Sequence, residues 1–406
     1  MNAVRFARIT TQHKLAGGYV TVHYANIVFA SPLLLVHIRG LQYDFDSGSG
    51  DGRFQSTGRF RMQSADFVNQ LDQRLAKIQH VTPQVAVRSQ SLGIDYRYGD
   101  TDLPFHATSV GKLVTTALVM QQVEAGRFAL ATPIAELLPA SEIEGLFADD
   151  AAAEVTIEQL LTHTSGCNDF YEGRTKSGPR FVAELKRDLD HEWSPAELIA
   201  FTRDRQQPVG RPGERFRYSD TGFVLLGRAL ETVTGELFGE LVHHRVFAPL
   251  GMGRSFLPFR TQPASGSDEI APLSLAGIDI GTHRAITCDW AGGGIAGTLD
   301  DFLQLMAGMR NGKLISAESW AVLQEPRHRF RPGLWYGTGT MTVRFEGLVP
   351  WARNWPRLVG HLGTSSAHLW FDPVHEAEIA INFGSSKALS RSFRTLFEVV
   401  GLLRQL

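Results

Sequence analysis

Short strand-like segments lie near both ends of this sequence, and a long, mostly helical middle separates them. The candidate strands are residues 84–88, 92–96, 339–345, 367–371 and 377–381. Strands that enclose a helical segment can join in one sheet while the helices form a separate layer. The pattern predicts an α+β fold: a sandwich-like sheet subdomain from about residues 64–105 and 330–406, with an all-helical insertion at about 106–329.

Amphipathic helices are predicted at both edges of the sheet subdomain. Phe67, Leu71, Leu75 and Ile78 recur at helical spacing and would place one apolar stripe on the sheet. A closing helix is expected at about residues 392–403, again with its apolar residues on one side. Both helices are therefore expected to cover a sheet face.

Residues 1–63 form a separate N-terminal extension. Residues 15–46 are strand-like, with candidate strands at 19–24 and 33–38, and a glycine-rich connector follows at 46–52. The sequence leaves three roles open for the extension: a hairpin, an oligomerisation arm, or a segment with little fixed structure. Its most apolar run is too short to span a bilayer and precedes no cleavage site, so we expect a cytoplasmic protein without membrane attachment. The oligomeric state stays open.

The composition argues against several function classes. The chain has 406 residues with 40 basic and 42 acidic side chains, so it has no overall attraction for nucleic acid. Cys167 and Cys288 are predicted to be free thiols, because a chain of this size buries a core without a disulfide. No Cys-x-x-Cys or His-Glu-x-x-His occurs, and His361, His368 and His375 lack ligand spacing. We therefore expect no metal and no cofactor.

The first candidate for chemistry is Ser109, at the start of an apolar segment that predicts a buried helix. A helix N-terminus carries partial positive charge and unpaired N–H groups, which favour an alkoxide and an oxyanion. Lys112 follows one turn later on the same face, within reach of the serine hydroxyl. The alternative is that Ser109 caps the helix and Lys112 is a surface charge. A lysine in an apolar helix, however, needs a buried partner or a function.

Tyr218 is the second candidate, because it directly precedes an apolar helix. A nearby lysine would lower the pKa of its phenol, which would suit a general base or proton shuttle for Ser109. The alternative is a packed aromatic ring, with Ser219 or Asp220 as the helix cap.

The third candidate is the segment Gly360-His361-Leu362-Gly363-Thr364, which is predicted to be a loop before a late strand. A glycine there allows a substrate to approach the backbone. His361 is a candidate for binding a carboxylate or passing protons. Residues 363–367 also nearly match a nucleophile elbow, but they precede a strand instead of ending one, which argues against an α/β-hydrolase.

In this order and spacing, the three segments resemble the serine β-lactamase, penicillin-binding-protein and family VIII esterase superfamily. The resemblance covers residues 64–406. Further matching stretches are Gln-Leu-Leu-Thr-His-Thr-Ser-Gly at 159–166, Phe-Ala-Pro-Leu-Gly-Met-Gly at 247–253, Gly-Gly-Gly-Ile-Ala-Gly-Thr at 292–298 and Phe-Asp-Pro at 371–373. The resemblance implies a β-lactamase/transpeptidase-like fold.

The resemblance also implies roles for individual residues. Ser109 would be the acylated nucleophile, Lys112 its proton partner, and Tyr218 the base that also protonates the leaving group. Asp220 would take the third place of the tyrosine motif. On the strand motif, His361, Gly363 and Thr364 would line the substrate site, and the backbone N–H groups of Ser109 and Thr364 would form the oxyanion hole.

Two departures from the β-lactamase pattern narrow the expected substrate. Asp220 stands where asparagine is common, and His361 stands where lysine is common. A neutral histidine beside an acidic residue attracts a ring carboxylate poorly, so we expect hydrolysis of a small ester, amide or D-amino-acid peptide in preference to β-lactams. The alternatives are an envelope DD-carboxypeptidase or β-lactamase, which would need export, and a non-catalytic penicillin-binding-like module.

Overall fold

The computed structural model describes residues 9–15, 18–24, 43–45 and 62–406, and these fall into two units. The first unit draws on residues 1–61 and 345–355. Its strands β1 (Ile9–Leu15), β2 (Gly18–Tyr24) and β3 (Tyr43–Phe45) form an antiparallel sheet in the order β1-β2-β3.

The β1–β2 hairpin corresponds to one of the three roles that the sequence left open for the extension. β2 agrees with the candidate strand at residues 19–24. The other candidate strand at 33–38 and the connector at 46–52 lie outside the described residues.

The second unit, residues 62–344 and 356–406, contains the remaining elements. Its strands are β4 (Gln84–Ser89), β5 (Ile94–Tyr98), β6 (Phe105–His106), β7 (Ser274–Leu275), β8 (Ile278–Asp279), β9 (Ala296–Gly297), β10 (His328–Arg331), β11 (Leu334–Tyr336), β12 (Met341–Val343), β13 (Leu358–Leu362), β14 (His368–Asp372) and β15 (Ala377–Asn382). Its helices are α1 (Ser64–Leu75), α2 (Lys112–Glu124), α3 (Ala140–Ile143), α4 (Ile157–Leu161), α5 (Phe181–Arg187), α6 (Pro195–Arg205), α7 (Asp220–Thr234), α8 (Phe238–Val242), α9 (Ala248–Leu250), α10 (Trp290–Gly293), α11 (Leu299–Arg310), α12 (Ala317–Gln324) and α13 (Leu389–Leu403).

The main sheet of this unit joins strands from both ends of the chain. Its order is β10-β11-β12-β13-β14-β15-β4-β5, and all neighbours are antiparallel. β15 pairs with β4, with Ile381 opposite Val85. Every residue of β15 is buried, so both faces of the sheet are covered at this point. The predicted α+β fold is confirmed.

Several elements differ from the sequence-based expectation. β5 begins two residues late, and β10, β11 and β13 were not predicted. The middle segment is also not purely helical, because β6 pairs with β9 and β7 pairs with β8. Each of these four strands has two residues, which is too few to show a period of two in the sequence.

Three long helices pack on the sheet. α1 contacts α13 and β5, whereas α11 contacts β4, β14 and β15. The predicted stripe of α1 is buried at Phe67, Leu71 and Leu75, and the helix ends before Ile78. α13 begins three residues earlier than expected. In the described part of the chain, no helix has the length and apolar character needed to cross a membrane.

Helices α2 and α7 pack against each other and position the candidate catalytic residues. Most residues of α2 are buried, from Lys112 through Met120 without interruption, which makes it a central helix of the core. The Ser219 side chain accepts a hydrogen bond from Gly222 N–H at 3.2 Å and so caps α7. Gly235 ends α7 in the left-handed conformation, at φ 74°.

Candidate active site

Ser109 lies in a 3₁₀ turn, Thr108–Gly111, directly before α2. Its side chain is partly exposed and lines a cavity of about 200 Å³. The turn is closed by the backbone N–H of Lys112, which donates to the carbonyl of Ser109. The serine therefore stands at the helix start that the sequence predicted.

Two glycines let α10 approach this turn closely. A Cβ on Gly111 would lie 2.9 Å from Gly293, and a Cβ on Gly293 would lie 2.2 Å from the carbonyl oxygen of Thr108. Both positions therefore exclude a side chain. The approach brings the carbonyl of Gly292 against the side chain of Lys112.

Lys112 is completely buried, and each N–H of its ammonium group has an acceptor. The Nζ atom lies 3.3 Å from Ser109 Oγ and 2.5 Å from the carbonyl oxygen of Gly292. The third acceptor is the carboxylate of Asp220, with which it forms a salt bridge. The alternative of a solvated surface lysine is therefore wrong, and the buried charge has a buried partner.

Tyr218 directly precedes the capping residue of α7, as expected. Its phenol lines the same cavity as Ser109, and Lys112 Nζ lies 5.1 Å from the centroid of its ring. Burial and the negative charge of Asp220 raise the pKa of Tyr218 well above its ordinary value, and the Ser109 hydroxyl offsets this only in part. The prediction of a lowered phenol pKa is wrong, because burial and the negative charge of Asp220 act in the opposite direction. Tyr218 is a neutral phenol.

The ring of His163 packs against the ring of Tyr218, a contact that was not predicted from the sequence. Its ring centroid lies 4.2 Å from that of Tyr218 and 4.4 Å from that of Tyr336. Its Nδ1 accepts a hydrogen bond from the backbone N–H of Ser219 at 3.2 Å. Burial lowers the pKa of His163, so the imidazole is neutral. Its place in the matched stretch at 159–166 was the only signal in the sequence.

His361 lies inside strand β13 and is fully buried. Its Nδ1 donates to the carbonyl of Leu362 at 2.9 Å, so Nε2 accepts from the hydroxyl of Tyr336 at 3.3 Å. Burial and the charge of Lys112 lower the pKa of His361 to about 3. The prediction of a loop histidine that faces substrate is wrong in its placement, because both ring nitrogens bond inside the protein.

The turn after β13 lies against the serine turn. A Cβ on Gly363 would lie 2.1 Å from Thr108 Oγ1 and 2.5 Å from the carbonyl oxygen of Ala107. Thr108 Oγ1 is also 3.0 Å from Ser365 Oγ. Residues 363–367 lie between β13 and β14. They therefore do come at the end of a strand, contrary to the expectation. The turn runs from strand to strand, as the argument against an α/β-hydrolase requires.

Two backbone N–H groups at the cavity have no acceptor among residues 62–406. Ser109 and Thr364 both line the cavity. Within residues 62–406, neither backbone N–H donates a hydrogen bond. Backbone donors without acceptors suit an oxyanion, the role that the resemblance implied for these two groups, and that role stays a prediction.

Two further carboxyl groups lie near the Lys112–Asp220 pair, and no pattern in the sequence pointed to either. Asp169 is buried and accepts the backbone N–H groups of Asp220, Tyr171 and Glu172 at 3.1, 3.2 and 3.0 Å. Asp289 lines the cavity. Burial and the charge of Asp220 raise the pKa of Asp169 and the pKa of Asp289 to about 7.

The candidate metal ligands are placed apart. His368 bonds Ser392 and Trp370, and His375 bonds Asp372, so neither approaches His361. Among the residues that the structure describes, no three His, Cys, Asp or Glu side chains are grouped as metal ligands. Cys167 and Cys288 are both free and buried, which confirms that prediction.

Comparison with known proteins decides the family. The family model described as Beta-lactamase matches residues 94–396. This chain belongs to the Beta-lactamase family. Among curated relatives, it is 33% identical over 159 residues to Penicillin-binding protein 4 of Amycolatopsis lactamdurans, covering 38% of this chain and 36% of that protein. It is 32% identical over 157 residues to Esterase EstB of Burkholderia gladioli, covering 37% and 38%.

A solved structure extends the likeness to nearly the whole fold. D-amino acid amidase from Ochrobactrum anthropi SV3 superposes with a TM-score of 0.69 at 20% identity, over 84% of this chain and 98% of that one. This family member therefore shares the fold of penicillin-binding proteins and related hydrolases. The predicted β-lactamase/transpeptidase-like fold is confirmed.

Proposed function

We propose that this Beta-lactamase family member hydrolyses a small ester or amide through an acyl-enzyme on Ser109. One observation carries the proposal: the Ser109 hydroxyl has Lys112 Nζ at 3.3 Å, and the Tyr218 phenol lines the same cavity with its ring centroid 5.1 Å from that Nζ. A nucleophile and proton-transfer groups within hydrogen-bond reach are the signature of covalent catalysis. The related esterase and the structurally similar amidase favour the same reaction class.

The protonation states of Lys112 and Tyr218 favour a mechanism in which Tyr218 transfers the proton from Ser109 to the leaving group. Lys112 donates all three N–H groups, so it stabilises the emerging alkoxide by charge. Tyr218 is neutral, so it takes the Ser109 proton as it passes its own to the leaving oxygen or nitrogen. The serine Oγ–carbon bond forms, the bond to the leaving group breaks, and no net proton is left behind. Water then attacks the acyl-enzyme through the reverse relay.

The backbone N–H groups of Ser109 and Thr364 would bind the oxyanion in both half-reactions. Neither N–H has an acceptor within residues 62–406, so both are available to the oxyanion without breaking a bond inside the protein. A cavity of about 200 Å³ is below the usual range for drug-sized ligands, which favours a small acyl group. We rank β-lactams below esters and amides, because the neutral, buried His361 supplies no positive charge for a ring carboxylate.

The deciding experiment is Ser109→Ala, assayed with p-nitrophenyl butyrate. We expect turnover to fall at least 10³-fold, because the reaction loses its nucleophile. Mass spectrometry of the wild-type protein with a fluorophosphonate should place one adduct on Ser109. Ser386→Ala is the matched control, since Ser386 lines the same cavity but caps a backbone N–H. An adduct on another serine, or full activity in Ser109→Ala, would contradict the proposal.

A further inference from the structure

The carboxyl group of Asp289 lines the cavity and accepts no hydrogen bond from residues 62–406. It precedes α10 and lines the same cavity as Ser109, with 21% of its side chain exposed. Among residues 62–406, no side chain or backbone group donates a hydrogen bond to this carboxyl. Because an unpaired carboxylate away from bulk water is costly, such a group needs a ligand or a proton.

His106 does not supply that partner, although its Nδ1 lies 3.8 Å from Asp289 Oδ2. This Nδ1 accepts the backbone N–H of Thr108 at 3.1 Å, so it carries no proton. Burial lowers the pKa of His106 to about 3, which keeps the ring neutral. Two acceptors therefore face each other, and the histidine leaves the carboxyl uncompensated.

The cationic side chains near the cavity are not partners of the Asp289 carboxyl either. Lys112 already donates to Ser109, Gly292 and Asp220. In the described part of the chain, no lysine or arginine nitrogen lies within 4.0 Å of the Asp289 carboxyl. Arg331 is the cation on the cavity wall, where its exposed guanidinium stacks 5.1 Å from the Phe330 ring centroid.

The acidic side chains outnumber the cations on the cavity wall. Asp220, Asp289 and Glu172 line it, against the single guanidinium of Arg331. Asp220 is neutralised by Lys112, and Glu172 is exposed to solvent. The partly desolvated carboxyl without a partner is therefore that of Asp289, and a cationic ligand is the electrostatic complement of its ionised form.

We propose that Asp289 binds a protonated amine on the acyl part of the substrate. The preferred substrates are then esters or amides with an ammonium group close to the scissile carbonyl. This inference rests on the proposed function, since it assumes that the same cavity holds the acyl group. The ammonium replaces the missing donors of Asp289, and an uncharged analogue leaves the carboxyl unpaired.

The test compares two substrates that differ only in the amine: alanine p-nitroanilide, as each enantiomer, and propionyl p-nitroanilide. Near pH 7, an α-ammonium of pKa about 8 is charged. We therefore expect the kcat/KM of wild-type protein for one alanine enantiomer to exceed that for the propionyl substrate at least tenfold. Asp289→Asn should lower that preference at least tenfold and change kcat/KM for the propionyl substrate less than threefold. Glu172→Gln, on the same cavity wall, should leave the preference within threefold of wild type.

An unchanged preference in Asp289→Asn, or an equal loss in Glu172→Gln, would overturn the assignment. Failure of the proposed function looks different: wild-type protein would cleave neither substrate, or Ser109→Ala would cleave both. In that event, calorimetry with alaninamide and propionamide on Ser109→Ala protein still tests Asp289. Alaninamide should bind at least tenfold more weakly when Asp289→Asn is added, and equal affinity in the two proteins would contradict the inference.

Discussion

Single residues in this site act through the protonation state that their surroundings impose. Lys112 carries a charge that Asp220 balances, while burial keeps Tyr218 a neutral phenol and His361 a neutral imidazole. A phenol with a raised pKa is a poor stand-alone base, but it can accept one proton while it gives up another. The hydroxyl of Tyr218 is therefore expected to matter more than its ring.

Tyr218→Phe tests this expectation, because it removes the hydroxyl and preserves the packing on His163. We expect kcat for p-nitrophenyl butyrate to fall by about 10²-fold or more, with little change in thermal stability. Tyr171→Phe is the matched control, since Tyr171 lines the same cavity. Stopped-flow or steady-state kinetics across the neutral pH range provide the measurement. A near-normal kcat in Tyr218→Phe would leave the ring with a packing role only.

At the scale of elements, the site depends on how closely two turns approach each other. The turn after β13 rests on the serine turn, and Gly363 has no room for a side chain because Thr108 and Ala107 occupy it. In the proposed mechanism, the N–H groups of Ser109 and Thr364, one from each turn, bind one oxygen atom. A shift of either turn would therefore weaken oxyanion binding.

The variant Gly363→Ala should therefore have a lower kcat per molecule of folded protein. The added methyl group would lie 2.1 Å from Thr108 Oγ1 and must push the turns apart, so we expect kcat to fall about 10-fold to 10³-fold. Gly222→Ala is the control, because a Cβ there meets its nearest neighbour at an ordinary 3.6 Å and α7 gains a better helix former. Equal kcat values in the two variants, each normalised to folded protein, would contradict this role for Gly363.

At the scale of the whole molecule, burial of neutral histidines links folding to pH. His106, His361 and His368 have pKa values lowered to about 3 by burial. Below about pH 6.5 the unfolded chain binds protons at these rings and the folded chain does not, so they destabilise the fold as pH falls. Asp169 and Asp289, with pKa values raised to about 7, oppose this trend between about pH 4 and 7.

His368 isolates one histidine contribution, because it lies away from the cavity and bonds Ser392 and Trp370. In His368→Gln, the slope of the unfolding free energy against pH between about pH 4 and 6 should decrease by the contribution of one proton. That contribution is about 1.4 kcal/mol per pH unit. Denaturant titrations at several pH values provide the measurement. An unaltered slope in His368→Gln would show that this ring does not contribute.

Local patterns in the sequence were sufficient for the fold class and for the choice of three candidate site residues. The apolar periods of α1 and α13 and the longer strands at both ends predicted a sheet from both termini. Ser109, Lys112 and Tyr218 were found because each stands at or near the start of an apolar helix. Helix starts and apolar periods are set by neighbours in the chain, so they are visible without tertiary structure.

The sequence by itself determined which elements form and which residue types stand at their ends. The tertiary structure alone decided which charges are balanced and which are left without a partner. Lys112, Asp220 and Gly292 meet from three distant segments. Burial of Tyr218 and the charge of Asp220 reversed the predicted direction of the Tyr218 pKa shift. The buried place of His361 and the unpaired carboxyl of Asp289 have the same origin. Protonation depends on burial and on groups within a few ångströms, and chain spacing does not encode either quantity.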